Sequence, residues 1–233
     1  MRALAALLIA AAQPAAEPPL DFTYTWPEVV DADPRLRATL DRDRWEARAE
    51  AERAVEADRR TRSSEAGFNP HYYHQTWEVA GSSPQLLSLQ SSMETYTGGA
   101  HGNLQFAAGL WDRLEGRLLG TAELFGEAAL ARITPRYCDD LDNQRAERRG
   151  EPVQRSTDDP FTDCPGLSWQ AMAPADEDGN GRFDTLRILL PPYAAGPYVE
   201  GDYIVELAFE PGDLAGIPDG LRPAFEVPGE RRR

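Results

Sequence analysis

From Tyr72 to Leu119 the apolar residues recur with a period of two, and that alternation commits this part of the chain to a sheet. YYHQTWEVA reads as a strand, GSSP as a turn, and QLLSLQSSMETY as a second strand with Leu87, Leu89, Ser91, Met93 and Thr95 on one face. NLQFAAGLWDRL follows as a third strand, and EG turns it into a fourth that begins RLL. Connections this short join antiparallel neighbours. A sheet needs a cover, and the preceding segment supplies one. Pro34 to about Arg62 has no glycine or proline inside it. Asp33 caps it, with Pro34 at the first helical position. Its apolar stripe, Leu36, Leu40, Ala47, Ala51 and Ala54, is thin and rich in alanine, which predicts a helix lying on a sheet face with its other side in water. Ahead of it, Phe22, Tyr24 and Trp26 alternate in a further strand that stops at Pro27.

Beyond residue 120 the period changes. Thr121 is placed to cap a helix that continues, with breaks, to about Arg149. Residues 150 to 165 read as an irregular loop. LSWQAMAP, RFDTLRILLPP and DYIVELAFE read as three more strands, with the turn-rich PYAAGPYVEG between the last two. Helices and strands are segregated rather than alternating, so the fold class is α+β. The expectation is a long N-terminal helix packed on a mainly antiparallel sheet, with a second helix–strand portion towards the C-terminus. One domain over 17–225 accommodates this, with two subdomains meeting near 150–165 as the alternative, and 226–233 as a disordered tail. A chain of 233 residues with 41% hydrophobic and 27% charged side chains can bury a core of that size.

The N-terminus reads as a signal peptide over residues 1–16. Met1 and Arg2 precede about ten apolar residues, and small residues follow. That run is too short to span a bilayer, and no later run is longer. The expected location is periplasmic or secreted. No cysteine lies near the junction, so a lipid anchor there is excluded. In an oxidising compartment Cys138 and Cys164 form a disulfide, worth about 3 kcal/mol by loop entropy. The net charge of −15, in which every basic residue is arginine, disfavours nucleic acid and anionic membranes and favours cationic partners.

Two stretches could carry chemistry. YTGGAHGN, residues 96–103, places His101 and Tyr96 beside three glycines between two strands. Glycines there let the chain reverse, so a hairpin turn is the local expectation. No nucleophile elbow, HExxH or Cys–His spacing accompanies it. A zinc site from His71, His74 and His101 is the metal alternative. DEDGNGRFD, residues 176–184, sets Asp176, Asp178, Asn180, Arg182 (through its carbonyl) and Asp184 at the ligand positions of a calcium loop, with Gly181 at the sharp turn. Arg187 stands where a bidentate glutamate is usual. The alternative is an acidic hairpin turn around Asn180–Gly181.

The first stretch also resembles a known family. Tyr96, Gly98, Gly99, Ala100, His101, Gly102, Asp112, Gly116, Leu118, Leu124 and Phe125 are similar to one signature of a bacterial extracytoplasmic domain family. Pro192, Tyr193, Gly196, Pro197, Tyr198 and Gly201 are similar to a second. The family is shared by the ectodomain of the lysozyme-sensing anti-sigma factor RsiV and the N-terminal, non-catalytic region of the peptidoglycan deacetylase PdaC. The sequence departs from the first in having no membrane span or sigma-binding part, and from the second in having no catalytic domain. What the resemblance implies is the fold and a ligand-binding role outside the cytoplasm, through Tyr96, Gly98, Gly99, His101, Tyr193 and Tyr198. Three functions stand open. One is a non-catalytic domain binding a lysozyme-like basic protein or a cell-wall fragment. Another is an envelope hydrolase centred on His101, Tyr96 and Asp112. The third is a calcium-stabilised structural protein.

Overall fold

The computed structural model describes residues 19–61 and 68–229. The expected signal peptide, part of the loop at 62–67 and the last four residues lie outside the described residues. Strand β1 (Leu20–Thr25) leads through helix α1 (Pro34–Thr61) to β2 (His71–Ser82), β3 (Leu86–Tyr96), β4 (Asn103–Asp112) and the short β5 (Arg117–Leu119). These five form one sheet in the order β1-β2-β3-β4-β5. Every pairing is antiparallel except β1 with β2, which is parallel because α1 carries the chain back to the starting end. Helix α2 (Thr121–Arg149) precedes a second, three-stranded antiparallel sheet of β6 (Ala171–Ala175), β7 (Thr185–Leu190) and β8 (Tyr203–Ala208). The α+β class and the two portions stand as expected.

Period two decides what each face of the first sheet meets. Leu87, Leu89, Trp77 and Trp111 point to one side and pack with Leu36 and Leu40 of α1. Leu86 and Leu110 point to the other side and join the core built by α2 and the second sheet. The two sheets approach closely at a bulge between Val79 and Gly81. A side chain at Gly81 would run into the backbone of Asp176 and the ring of Phe183, so only glycine fits there. The central strand of sheet two is covered on both sides, and β7 accordingly reads TLRILL, buried at all but Arg187.

The helices are held differently. Asp33 caps α1 as expected, its carboxylate accepting from the backbone N–H of Arg35 at 3.0 Å and of Leu36 at 3.3 Å, and from Trp111 Nε1 at 2.8 Å. Burial works against that carboxylate, but these hydrogen bonds hold its pKa below the usual value. The cap of α2 is not the expected one. Gly120 occupies the N-cap position without a side-chain hydrogen bond, and the Thr121 hydroxyl is buried with no partner among the described residues. The expected breaks are Gly126, at φ 73°, and Pro135. Cys138 and Cys164 form the expected disulfide, which fastens α2 to the segment 150–165. At the C-terminal end, the Glu226 N–H donates to the Phe183 carbonyl at 2.9 Å.

Candidate functional site: two aromatic turns at one end of the molecule

Tyr96 closes β3, and the chain reverses through residues 97–102 into β4, with Gly98 at φ 80°. The Tyr96 hydroxyl donates to the Gly99 carbonyl at 3.0 Å and closes the turn on itself. His101 stands exposed at the tip. Its Nδ1–H donates to the Gly102 carbonyl at 2.7 Å, which leaves Nε2 as the acceptor in the neutral ring.

The β7–β8 connection meets this turn from the other half of the chain. Tyr198 stacks on the His101 ring with centroids 4.0 Å apart, and Tyr193 lies 5.6 Å from Tyr198 and 6.3 Å from His101. The Tyr193 hydroxyl faces His101 Nε2 at 3.4 Å. The structure therefore brings Tyr96, Gly98, Gly99, His101, Tyr193 and Tyr198 to one end of the molecule, although 92 positions separate His101 from Tyr193. Tyr193 sits at φ 72°, the one non-glycine in the left-handed region among the described residues. A side chain held there costs of order 1–3 kcal/mol and persists only where its surroundings over-determine it.

Those surroundings come from the last turns of α2. Arg145, fully buried, donates from Nε to the Ala195 carbonyl at 2.8 Å and from a guanidinium NH2 to the Asp163 carbonyl at 2.9 Å, and it pairs with Asp142 at 3.0 Å. Arg149 grips Glu200 in a two-pronged pair, both contacts at 2.9 Å. Arg148 donates to the Glu200 and Asp202 carbonyls and lies 3.9 Å above the Tyr203 ring. Burial would raise the Glu200 carboxyl, but hydrogen bonds from Arg149 and Tyr203 hold it below its usual range. Three arginines thus carry the loop that presents the two tyrosines. Sequence reasoning ended the helix at Arg149 and missed this role, for which the only signal was three arginines in two turns.

A groove of about 380 Å³ runs beside the rings, lined by Tyr72, Glu94, Tyr198, Val199, Glu200 and Asp202 among others. Tyr72, Tyr96 and His74 extend the aromatic row, with Tyr72–Tyr96 centroids at 5.6 Å and Tyr72–His74 at 5.1 Å. Tyr72 is directly opposite Tyr96 in the β2–β3 register, and a side chain at Gly102 would collide with the Tyr72 hydroxyl. Burial, with Glu94 next, pushes the Tyr72 phenol up. Val199 is 90% exposed and Tyr193 50%, so the surface is apolar at its crest and acidic at its rim.

The expected hydrolase and zinc constellations separate. Asp112 ends β4 whereas His101 precedes its start, about 30 Å away at strand rise. Its carboxylate is buried and accepts from the backbone N–H of Leu114 and Glu115. The hydrolase centre of His101, Tyr96 and Asp112 is therefore not assembled. The three histidines face different partners, His71 meeting Asp58 at 3.2 Å and His74 meeting Asp21 at 2.9 Å. In the loop 176–184, Asp176 accepts from the backbone N–H of Asn180 and Gly181, Asp178 from that of Asn180, and Asp184 from that of Glu177. Arg182 pairs with Glu226. Arg187 pairs with Glu177 at 2.5 Å and Glu206 at 2.7 Å. Among the described residues no group of three or more His, Cys, Asp or Glu is disposed to hold a metal, and no helix is long and apolar enough to cross a membrane.

Residues 16–104 match the family model described as deacetylase PdaC. Among solved structures, a member of the DUF3298 family from Bacteroides fragilis NCTC 9343 is 18% identical, with 80% of this chain and 72% of that chain covered and a TM-score of 0.45. A DUF3298 family protein from Pseudomonas aeruginosa PAO1 is also 18% identical, with 64% and 62% covered and a TM-score of 0.40. No curated protein matches. Over residues 16–104, from the approach to β1 through to the His101 turn, the chain is thus similar to the PdaC family.

Proposed function

We propose that the protein is a non-catalytic extracytoplasmic binding domain whose aromatic end docks a basic protein of the lysozyme kind. The observation that carries this is the convergence of His101, Tyr193 and Tyr198 from two distant turns, with Tyr193 held at a costly backbone angle and half exposed. Exposed tyrosines with few rotatable bonds are the side chains that dominate protein interfaces. The acidic rim of Glu94 and Asp202, on a chain of net charge −15, complements a cationic partner and would speed its approach. His101 is oriented by a backbone carbonyl and a tyrosine hydroxyl, an arrangement that fixes a ring for contact. The disulfide suits an oxidising compartment.

Calorimetry of the protein with a lysozyme, at low and at physiological salt, tests the proposal. Micromolar or tighter binding that persists in salt is expected, with Tyr198→Ala weakening it by at least ~10-fold, the size of an interface anchor. Binding that vanishes with salt, or is indifferent to Tyr198→Ala, would reduce the attraction to bulk charge.

A further inference from the structure

The opposite face of the same sheet end holds a second feature. Over its first turns α1 fills the space above the sheet with Leu36 and Leu40. Further along it presents Ala47, Ala51 and Ala54, too small to reach the strands. A cavity of about 280 Å³ remains, walled below by His71, Tyr73, Met93 and Thr95 and bounded by Leu20. An engineered apolar cavity of about 150 Å³ takes up benzene, so this one has room for a larger ring. Its walls are mainly apolar, with Glu50, His71, Thr95 and Thr97 as polar members. His71 is 3% exposed, and its Nδ1 has no hydrogen-bond partner among the described residues. An ionised carboxylate only accepts, so the contact with Asp58 assigns the proton to Nε2 and leaves Nδ1 of the neutral ring with an unused lone pair. A buried acceptor without a donor carries a free-energy cost that a ligand could remove. Glu50 also lines the space, and it too can only accept when ionised.

We infer that this space under α1 binds a small, flat, apolar molecule carrying one hydroxyl or N–H donor, with the ring between the alanines and Tyr73 and the donor on His71 Nδ1. This site lies on the α1 side of β2 and β3 and the docking rings on the other, with Tyr72 and Tyr96 bordering the space as well as the aromatic end.

Indole and phenol, with naphthalene as the donor-free control, are the probes, titrated against the protein at pH 8 and followed by calorimetry and by the thermal midpoint. Indole is expected to bind and raise the midpoint, and naphthalene to bind at least ~5-fold more weakly. Ala51→Leu fills the cavity. It should keep or raise the midpoint of the free protein, keep lysozyme binding, and weaken indole by at least ~10-fold. His71→Phe, which retains a flat ring and removes the acceptor, should bring indole down to the level of naphthalene. No indole or phenol binding up to millimolar concentration would overturn the assignment. So would indole binding that a folded Ala51→Leu leaves unchanged, whatever becomes of the lysozyme interaction.

Discussion

The two helices are almost equal in length, 28 and 29 residues, yet they bury themselves by opposite means. Helix α1 buries three side chains, Leu36, Leu40 and Val55, and leaves a gap beneath its alanines. Helix α2 buries nine, from Thr121 to Arg145, and carries a disulfide and three arginines that reach into neighbouring loops. The difference shows how one chain divides its labour. The first helix covers a sheet loosely enough to leave room, whereas the second is a rigid mount for a loop that would not hold its own shape.

The sharpest way to break this contrast is at Arg145. Arg145→Met removes the donor of the Asp163 carbonyl and the nearer of the two donors to the Ala195 carbonyl, and should cost about 3–5 kcal/mol in denaturant unfolding, as removal of one partner from a buried charged network does. A loss below about 1 kcal/mol would mean that the loop holds itself. A smaller effect lies at Glu200. Its folded pKa is depressed, so its stabilisation is complete above the unfolded value of 4.5 and fades as pH falls through the folded value. Glu200→Gln should lower stability by about 1 kcal/mol at pH 7. Between pH 4.5 and 3 the gap from the wild type should narrow, and a gap constant with pH would show that the charge is not what matters. The smallest effect belongs to α1. Arg48→Ala breaks an exposed pair with Glu52 and should change stability by no more than about 0.5 kcal/mol. A loss of 2 kcal/mol there would erase the distinction between the helices.

The same contrast explains what could be read in the sequence. Strands β2 to β4 were legible because their alternation is dictated by one covered face at a time, and α1 because Asp33–Pro34 and its alanine stripe mark a helix on a sheet. The three C-terminal strands were legible in place but not in extent. Each reads longer than it forms, since apolar residues continue from the strands into their connections. The Thr121 cap failed because Gly120, with an extended backbone, already fills the position. At the site, both turns carried a visible signal in their glycines, prolines and tyrosines. Their meeting did not, because it depends on how the second sheet stacks on the first, and nothing local encodes that. Asp112 misled for the same reason, as nearness in the chain became separation along a strand.

Tyr193 has a consequence for how this protein can change over time. Drift that favours a more robust fold would replace it with glycine or asparagine, which adopt φ 72° at little cost. Lineages that keep a partner for the aromatic end should retain the tyrosine and bear the instability. Lineages that have lost the partner should be free to relax it. On the proposed docking role, the residue at 193 is therefore a marker, readable from sequence alone, of whether a descendant still uses this end of the molecule.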